Sequence, residues 1–138
     1  MNTKLNPYLN FDGNAREAME FYKNVFGGNL TLSTFKEGGM AEDPAIADKI
    51  MHAMLVAENG ITLMASDIPP GTPHDPGNNI AISLSGDNEQ ELRGYWDQLS
   101  SDAKITIALD KAPWGDTFGM LTDKFGISWL VNIAGKKS

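Results

Sequence analysis

The second half of this chain repeats the pattern of its first, and that repeat restricts the fold more than any single residue does. Asn14 and Asn88 each open an amphipathic stretch, and they lie 74 residues apart. Glu17/Glu91, Ala18/Leu92, Tyr22/Trp96 and Val25/Leu99 keep the same offset. Each stretch reads as a helix. The Asn can accept from free amides of the first turn while the Glu three residues on reaches back, an Asn form of the capping box. Apolar residues then follow helical spacing, at Ala15, Ala18, Met19, Tyr22, Val25 and Phe26 in the first stretch and at Leu92, Tyr95, Trp96 and Leu99 in the second. A single apolar stripe on each helix must lie against a sheet. Gly27-Gly28 ends the first helix, because glycine readily takes the left-handed conformation that turns the chain away.

Strand patterns flank each helix, one before and three after. In the first half they cover 5–11, 30–36, 50–58 and 61–67, with Asn59-Gly60 as a tight hairpin turn between the last two. In the second half they cover 79–85, 104–110, 117–122 and 127–134, with Phe125-Gly126 in the last turn. The class is therefore α+β, a pair of βαβββ modules. Between them runs a segment with four prolines and two glycines, Ser66 to Gly77, which can continue neither a strand nor a helix. The expected organisation is one domain over 1–138, with module one at 1–67, a linker at 68–78 and module two at 79–138.

At 138 residues the chain can bury a core but has no room for a separate cofactor domain. It contains no cysteine, which excludes disulfides, thiolate ligands and a cysteine nucleophile and suits a reducing compartment. No stretch approaches a membrane-spanning length and Met1–Pro7 has no apolar run, so a cytoplasmic protein with no membrane partner is expected. The net charge of −7 is spread evenly, with 5 basic and 9 acidic residues over 1–69 and 6 and 9 over 70–138. No basic face is available to neutralise phosphates, which disfavours nucleic acid as a partner.

Two stretches carry a resemblance to a known family. Tyr8-Leu9-Asn10-Phe11-Asp12-Gly13-Asn14-Ala15 through Glu20-Phe21-Tyr22-Lys23, followed by Phe26-Gly27, resembles the opening of the PhnB-like (YjdN-like) branch of the vicinal oxygen chelate superfamily. Trp114-Gly115-Asp116-Thr117-Phe118-Gly119 with Asp123-Lys124-Phe125-Gly126 and Trp129 is similar to that branch's WGxxFG…DxFGxxW pattern, with Lys124 where many members have proline. His52-Ala53 and Leu63 to Asp67 also fit. The resemblance implies the glyoxalase/bleomycin-resistance fold, in which two βαβββ modules curl into U-shaped halves around a ligand cavity. It also implies a homodimer. Function is less restricted, because the superfamily holds metal-dependent enzymes as well as metal-free binding proteins.

In metal-dependent members, His or Glu ligands come from the first and last strands of each module. The matching positions here fall near Asn6 or Pro7, Met64, Asn79 and Leu130, none of which is a good ligand for a divalent ion. The expectation is therefore no metal and no cofactor. A small organic ligand is the expected partner. Strand alternation places Tyr8 and Asn10 on one face of the first strand, and Asn79, Ala81 and Ser83 on the cavity side of the fifth, with Ile80, Ile82 and Leu84 under the helix. His52 lies on a strand with Met54 and Val56, either as a wall residue or as a pocket hydrogen-bonder and general base. Trp114 and Phe118 offer stacking surfaces to a planar ligand. The candidate ligand-binding set is Tyr8, Asn10, His52, Met64, Asp67, Asn79, Trp114 and Phe118, with His52 the catalytic candidate. The competing expectation is a lyase, isomerase or transferase that uses a metal on His52 and Asp67, or acid–base chemistry at His52. A methyltransferase label attached to relatives finds no glycine-rich turn or doubly wound domain here to hold a methyl donor. His74, in the linker, reads as an exposed loop residue.

Overall fold

A computed structural model describes residues 3–39, 46–57, 60–68 and 73–135. The chain divides into two compact units, Met1–Pro76 and Gly77–Ser138, and the division falls inside the Pro/Gly segment. No helix among the described residues is long and apolar enough to cross a membrane.

The first unit contains β1 (Tyr8–Phe11), α1 (Ala15–Phe26), β2 (Asn29–Thr34), β3 (Ile50–Val56) and β4 (Thr62–Asp67). Its sheet runs β1-β4-β3-β2, with β1 parallel to β4 and the other pairs antiparallel. All six apolar positions read from the helical spacing of α1 are buried. They pack toward the sheet face bearing Leu9, Phe11, Ala53, Leu55, Leu63 and Ala65, which alternate with more exposed neighbours along their strands. Gly27 closes α1, its amide donating to the Lys23 carbonyl at 2.7 Å. Gly28 follows with φ +91°, and a β-carbon there would collide with the Val56 carbonyl, so both its conformation and the close strand approach demand glycine.

The second unit repeats the plan with β5 (Ile82–Gly86), α2 (Glu89–Leu99), β6 (Lys104–Lys111), β7 (Thr117–Thr122) and β8 (Ser128–Ile133). The sheet order β5-β8-β7-β6 again joins its first strand in parallel to its last. Even the closing hydrogen bond recurs: the Ile68 amide donates to Phe11 in the first unit and the Ala134 amide to Gly86 in the second, each at 2.7 Å. Leu92, Trp96 and Leu99 are buried on α2, over a sheet face carrying Leu84, Leu121, Trp129, Val131 and Ile133.

Three expectations change. The first strand starts at Tyr8 rather than residue 5, and Leu5 is fully solvent-facing. The fifth strand starts at Ile82 rather than 79, because residues 78–79 form a bend, so Ile80 is exposed instead of lying under α2. The two helix starts are also built differently. Asn88 caps α2 as expected, accepting from the Glu91 amide at 3.1 Å, but Asn14 makes no side-chain cap bond. The carboxylate of Asp67, at the end of β4, takes its place. Asn59 lies outside the described residues; the hairpin there is closed by the Ala57 amide donating to Ile61, with Gly60 at φ +77°.

Candidate functional site

With α1 covering one face of the first sheet, alternation sends the other set of side chains to the opposite, open face. The register fixes the rows. Tyr8 lies beside Met64, Met64 beside Met54, and Met54 beside Thr31. In the next row Asn10 lies beside Ser66 and His52 beside Ser33. The Tyr8 and His52 rings stand 6.2 Å apart, centroid to centroid, tilted by 33°. Ser66 donates through Oγ to Asn10 Oδ1 at 3.5 Å. Tyr8 is half exposed, and the half-buried imidazole of His52 has no hydrogen-bond partner among the described residues. Four of the candidates, Tyr8, Asn10, His52 and Met64, therefore share one face that offers a phenol, an imidazole, an amide and thioethers.

Asp67 is placed elsewhere. It is 3% exposed on the helix side of the sheet, where Oδ1 accepts from the Ala15 amide at 2.9 Å and Oδ2 from the Ile50 amide at 2.8 Å. It joins β4, β3 and the start of α1, and both oxygens are committed to backbone donors, so it does not join His52 as a metal ligand. A depression of about 260 Å³ opens beside it, lined by Asn14, Arg16, Glu17, Asp48, Lys49 and neighbours. This hollow carries both signs of charge, and Lys49 Nζ is tied to the Gly13 carbonyl at 3.0 Å. It is a joint around the helix start, away from the open face.

The second unit has its own open face. One row runs Asp110, Phe118, Asn132, Ser85 and the next Ile107, Met120, Leu130, Ser83. Trp114, in the turn joining β6 to β7, meets Phe118 edge-on at 5.7 Å and 68° and is 64% exposed. The two aromatic candidates thus come together. Asn79 does not join them, since it sits in the bend before β5 and is exposed. The residue on β5 opposite Leu130 is Ser83, and the residue on β1 opposite Met64 is Tyr8, which shifts both first-strand positions from those read in the sequence.

The strand positions that match metal ligands in the superfamily do not carry glyoxalase-type donors in either unit. The strand positions hold Tyr8, Met64, Ser83 and Leu130, a set without a carboxylate or imidazole, and hard or borderline divalent ions need such groups. Among the described residues, no group of three or more His, Asp or Glu is placed to hold an ion.

The family-like residues of the second unit mostly build its frame. Asp123 Oδ1 accepts from the amides of Phe125 and Ile127 at 2.9 and 3.0 Å, and Oδ2 from the buried Trp129 indole at 2.8 Å. The Gly126 amide donates to the Asp123 carbonyl, so Lys124 occupies the turn position where proline is favoured. Asp116 accepts from Asn132 Nδ2 at 3.1 Å and the Gly135 amide at 2.8 Å. Gly119 lies under Trp96, leaving no space for a β-carbon. Open-face residues Met54, Ser66, Asp110 and Asn132 were missing from the sequence candidates. Alternation from His52 points to Met54, whereas the row containing Asp110 depends on a register shift between Ile107 and Asp110 that no local pattern reveals.

A family model described as 3-demethylubiquinone-9 3-methyltransferase matches residues 3–132, and the chain belongs to that family. It is 28% identical to protein YjdN of Escherichia coli K12, over 94% of each chain. A crystal structure of protein PA1353 from Pseudomonas aeruginosa is similar at 36% identity and TM-score 0.84, covering 98% of this chain and all of that one. A glyoxylase/bleomycin resistance protein/dioxygenase domain from Frankia sp. EAN1pec shares the fold at TM-score 0.66 and 14% identity, over 99% of each chain. The glyoxalase/bleomycin-resistance fold expected from the sequence is therefore the fold of this protein.

Proposed function

We propose that this member of the family binds a small organic molecule on the open faces of its two units, without a glyoxalase-type metal, as a cytoplasmic homodimer organised as a single domain. The observation that carries the reading is the meeting of Tyr8 and His52 at 6.2 Å beside Met64. Two amphipathic rings with polar tips lie next to adaptable thioethers. This combination of apolar contact area and a few placed polar groups is what small-molecule sites use. The acid-poor character of the first face suits an uncharged or zwitterionic ligand. Methyl transfer, named in the family description, gains no support from the fold, because each sheet holds one parallel pair rather than the doubly wound sheet that carries nucleotide-like cofactors.

Methyl NMR of the methionines tests the reading with a fragment library. Fragments should shift the methyls of Met54, Met64 or Met120 on the open faces, while Met19, fully buried on the sheet-facing side of α1, stays still. Hits that move none of the three open-face methionines would overturn it. Sedimentation at micromolar concentration tests the dimer, and a monomer would remove it.

The imidazole of His52, which has no hydrogen-bond partner among the described residues, also favours a second reading, acid–base catalysis with Tyr8 as neighbour. That reading requires a bound fragment to be converted over time by the wild type and left intact by His52→Gln. Binding with no conversion in either form supports the first reading.

A further inference from the structure

The corner of the second unit formed by Trp114, Phe118, Asp110 and Asp116 carries more information than aromatic area alone. Resting on the reading of the open faces as ligand surfaces, we propose that this corner is a subsite for an organic ammonium group.

Two observations converge on it. The first is aromatic. Trp114 keeps 64% of its surface in solvent, although a tryptophan gains much from burial, and its edge-on contact with Phe118 makes an angled wall rather than a closed stack. The negative π-face of such a ring attracts a cation, and tryptophan does so best. The second is electrostatic. Phe118 is the direct cross-strand neighbour of Asp110 on one side and of Asn132 on the other, and cross-strand neighbours point to the same face. Asn132 in turn donates to Asp116 Oδ2, and the Gly135 amide donates to Oδ1, which orients this carboxylate. Asp110 is exposed, accepts from the Lys111 amide, and forms no ion pair among the described residues. Lys111 itself pairs with Thr117, one step out of phase with Phe118, and so projects to the other face.

The exposed carboxylate of Asp110 thus lies beside a half-buried Phe118 and the exposed Trp114, on a chain whose net charge is −7. A small hard cation would have to give up its water for too few oxygens. An alkylated ammonium is weakly hydrated and has an apolar surface that packs on the rings, while its charge is read by Asp110.

Choline and its uncharged isostere 3,3-dimethylbutan-1-ol are the probes, followed through the three tryptophan indole N–H signals. Choline should shift the Trp114 signal saturably and leave those of buried Trp96 and Trp129 in place. The alcohol should bind about five-fold or more weakly, as expected for a cation–π contact near 1 kcal/mol. Asp110→Asn should weaken choline about three-fold or more and leave the alcohol unchanged, and Trp114→Leu, which removes the reporter indole, should abolish the choline-induced shift of the Phe118 backbone amide seen in the wild type. Unshifted Trp96 and Trp129 signals in both variants report that they are folded. Equal affinity for the two probes, or an Asp110→Asn variant that binds choline like wild type, would overturn the subsite. If neutral fragments move Met54, Met64 or Met120 while choline leaves Trp114 unmoved, the ammonium subsite falls and the binding faces stand. If no probe reaches either face, both fall.

Discussion

Replacing Asp67 by asparagine removes a charge from inside the first unit while keeping the side chain's shape, and it isolates what that carboxylate does. Both oxygens accept from backbone amides, those of Ala15 and Ile50, at 2.9 and 2.8 Å, and the residue is 3% exposed. Asparagine can present only one oxygen, so its NH2 must face a backbone N–H. One buried donor is then left unsatisfied, at roughly 1–3 kcal/mol. The surviving hydrogen bond also loses its ionic character and the favourable charge at the first turn of α1, worth about 0.3–1 kcal/mol more. The expected destabilisation is about 1.3–4 kcal/mol, a large fraction of the roughly 5–15 kcal/mol that holds a typical domain together. Urea denaturation followed by circular dichroism measures it, with the slope unchanged and the midpoint lowered. The control is Asn14→Ala, which removes the residue at the cap position but no cap hydrogen bond and should cost less than about 0.5 kcal/mol. Equal losses for the two variants would refute the assignment of the capping role to Asp67.

Asn88→Ala, unlike Asn14→Ala, breaks a real cap bond to Glu91 and should cost about 1 kcal/mol by the same urea assay; equal effects at the two asparagines would contradict the asymmetry of the helix starts. Asp123→Asn should cost about 2–4 kcal/mol, because the side chain accepts from two turn amides and the buried Trp129 indole, and the Trp129 indole N–H resonance should move. A variant with wild-type stability and an unmoved resonance would remove Asp123 from that role. Gly119→Ala places a β-carbon within 2.8–3.0 Å of Trp96 and the Leu109 backbone, so it should destabilise by about 1–3 kcal/mol in thermal unfolding, and a neutral result would show that β6 and α2 yield there.

Helical periodicity and the repeat were legible because both report burial over many residues at once. The six apolar positions of α1 needed no tertiary knowledge beyond the presence of a sheet. Asp67 could not be read this way. It ends a strand pattern, and nothing near it in sequence shows that its acceptors' partners lie at Ala15 and Ile50. Asn79 and Ile80 failed for a related reason: the alternation looked continuous, but a bend at 78–79 delays β5 until Ile82. On the first open face, alternation put Tyr8 and Asn10 on one side of their strand, since one strand's phase is set by its own residues, while Met64 and His52 join them through the register of β4 and β3. Which residue sits beside Phe118 depends on register between strands, and a shift in β6 supplies Asp110.

The division of labour within the second unit bears on how far kinship reaches toward function. Asp123, Gly126 and Trp129 close a turn and fill a core, and Gly119 admits Trp96; a chain needs these residues to fold this way whatever it binds. The residues proposed to meet a ligand are a different set, on alternate strand positions: Tyr8, His52 and Met64 in the first unit, Phe118, Asp110 and Asn132 in the second. Substitution at these open-face positions disturbs no buried hydrogen bond as severe as that of Asp67 or Asp123, so the frame permits them to vary. Two chains can therefore share the frame pattern and take different ligands, and chemistry has to be argued from the face rather than from the family pattern. For this chain the faces differ from one another, with an acid-poor, thioether-rich surface in the first unit and an acidic aromatic corner in the second.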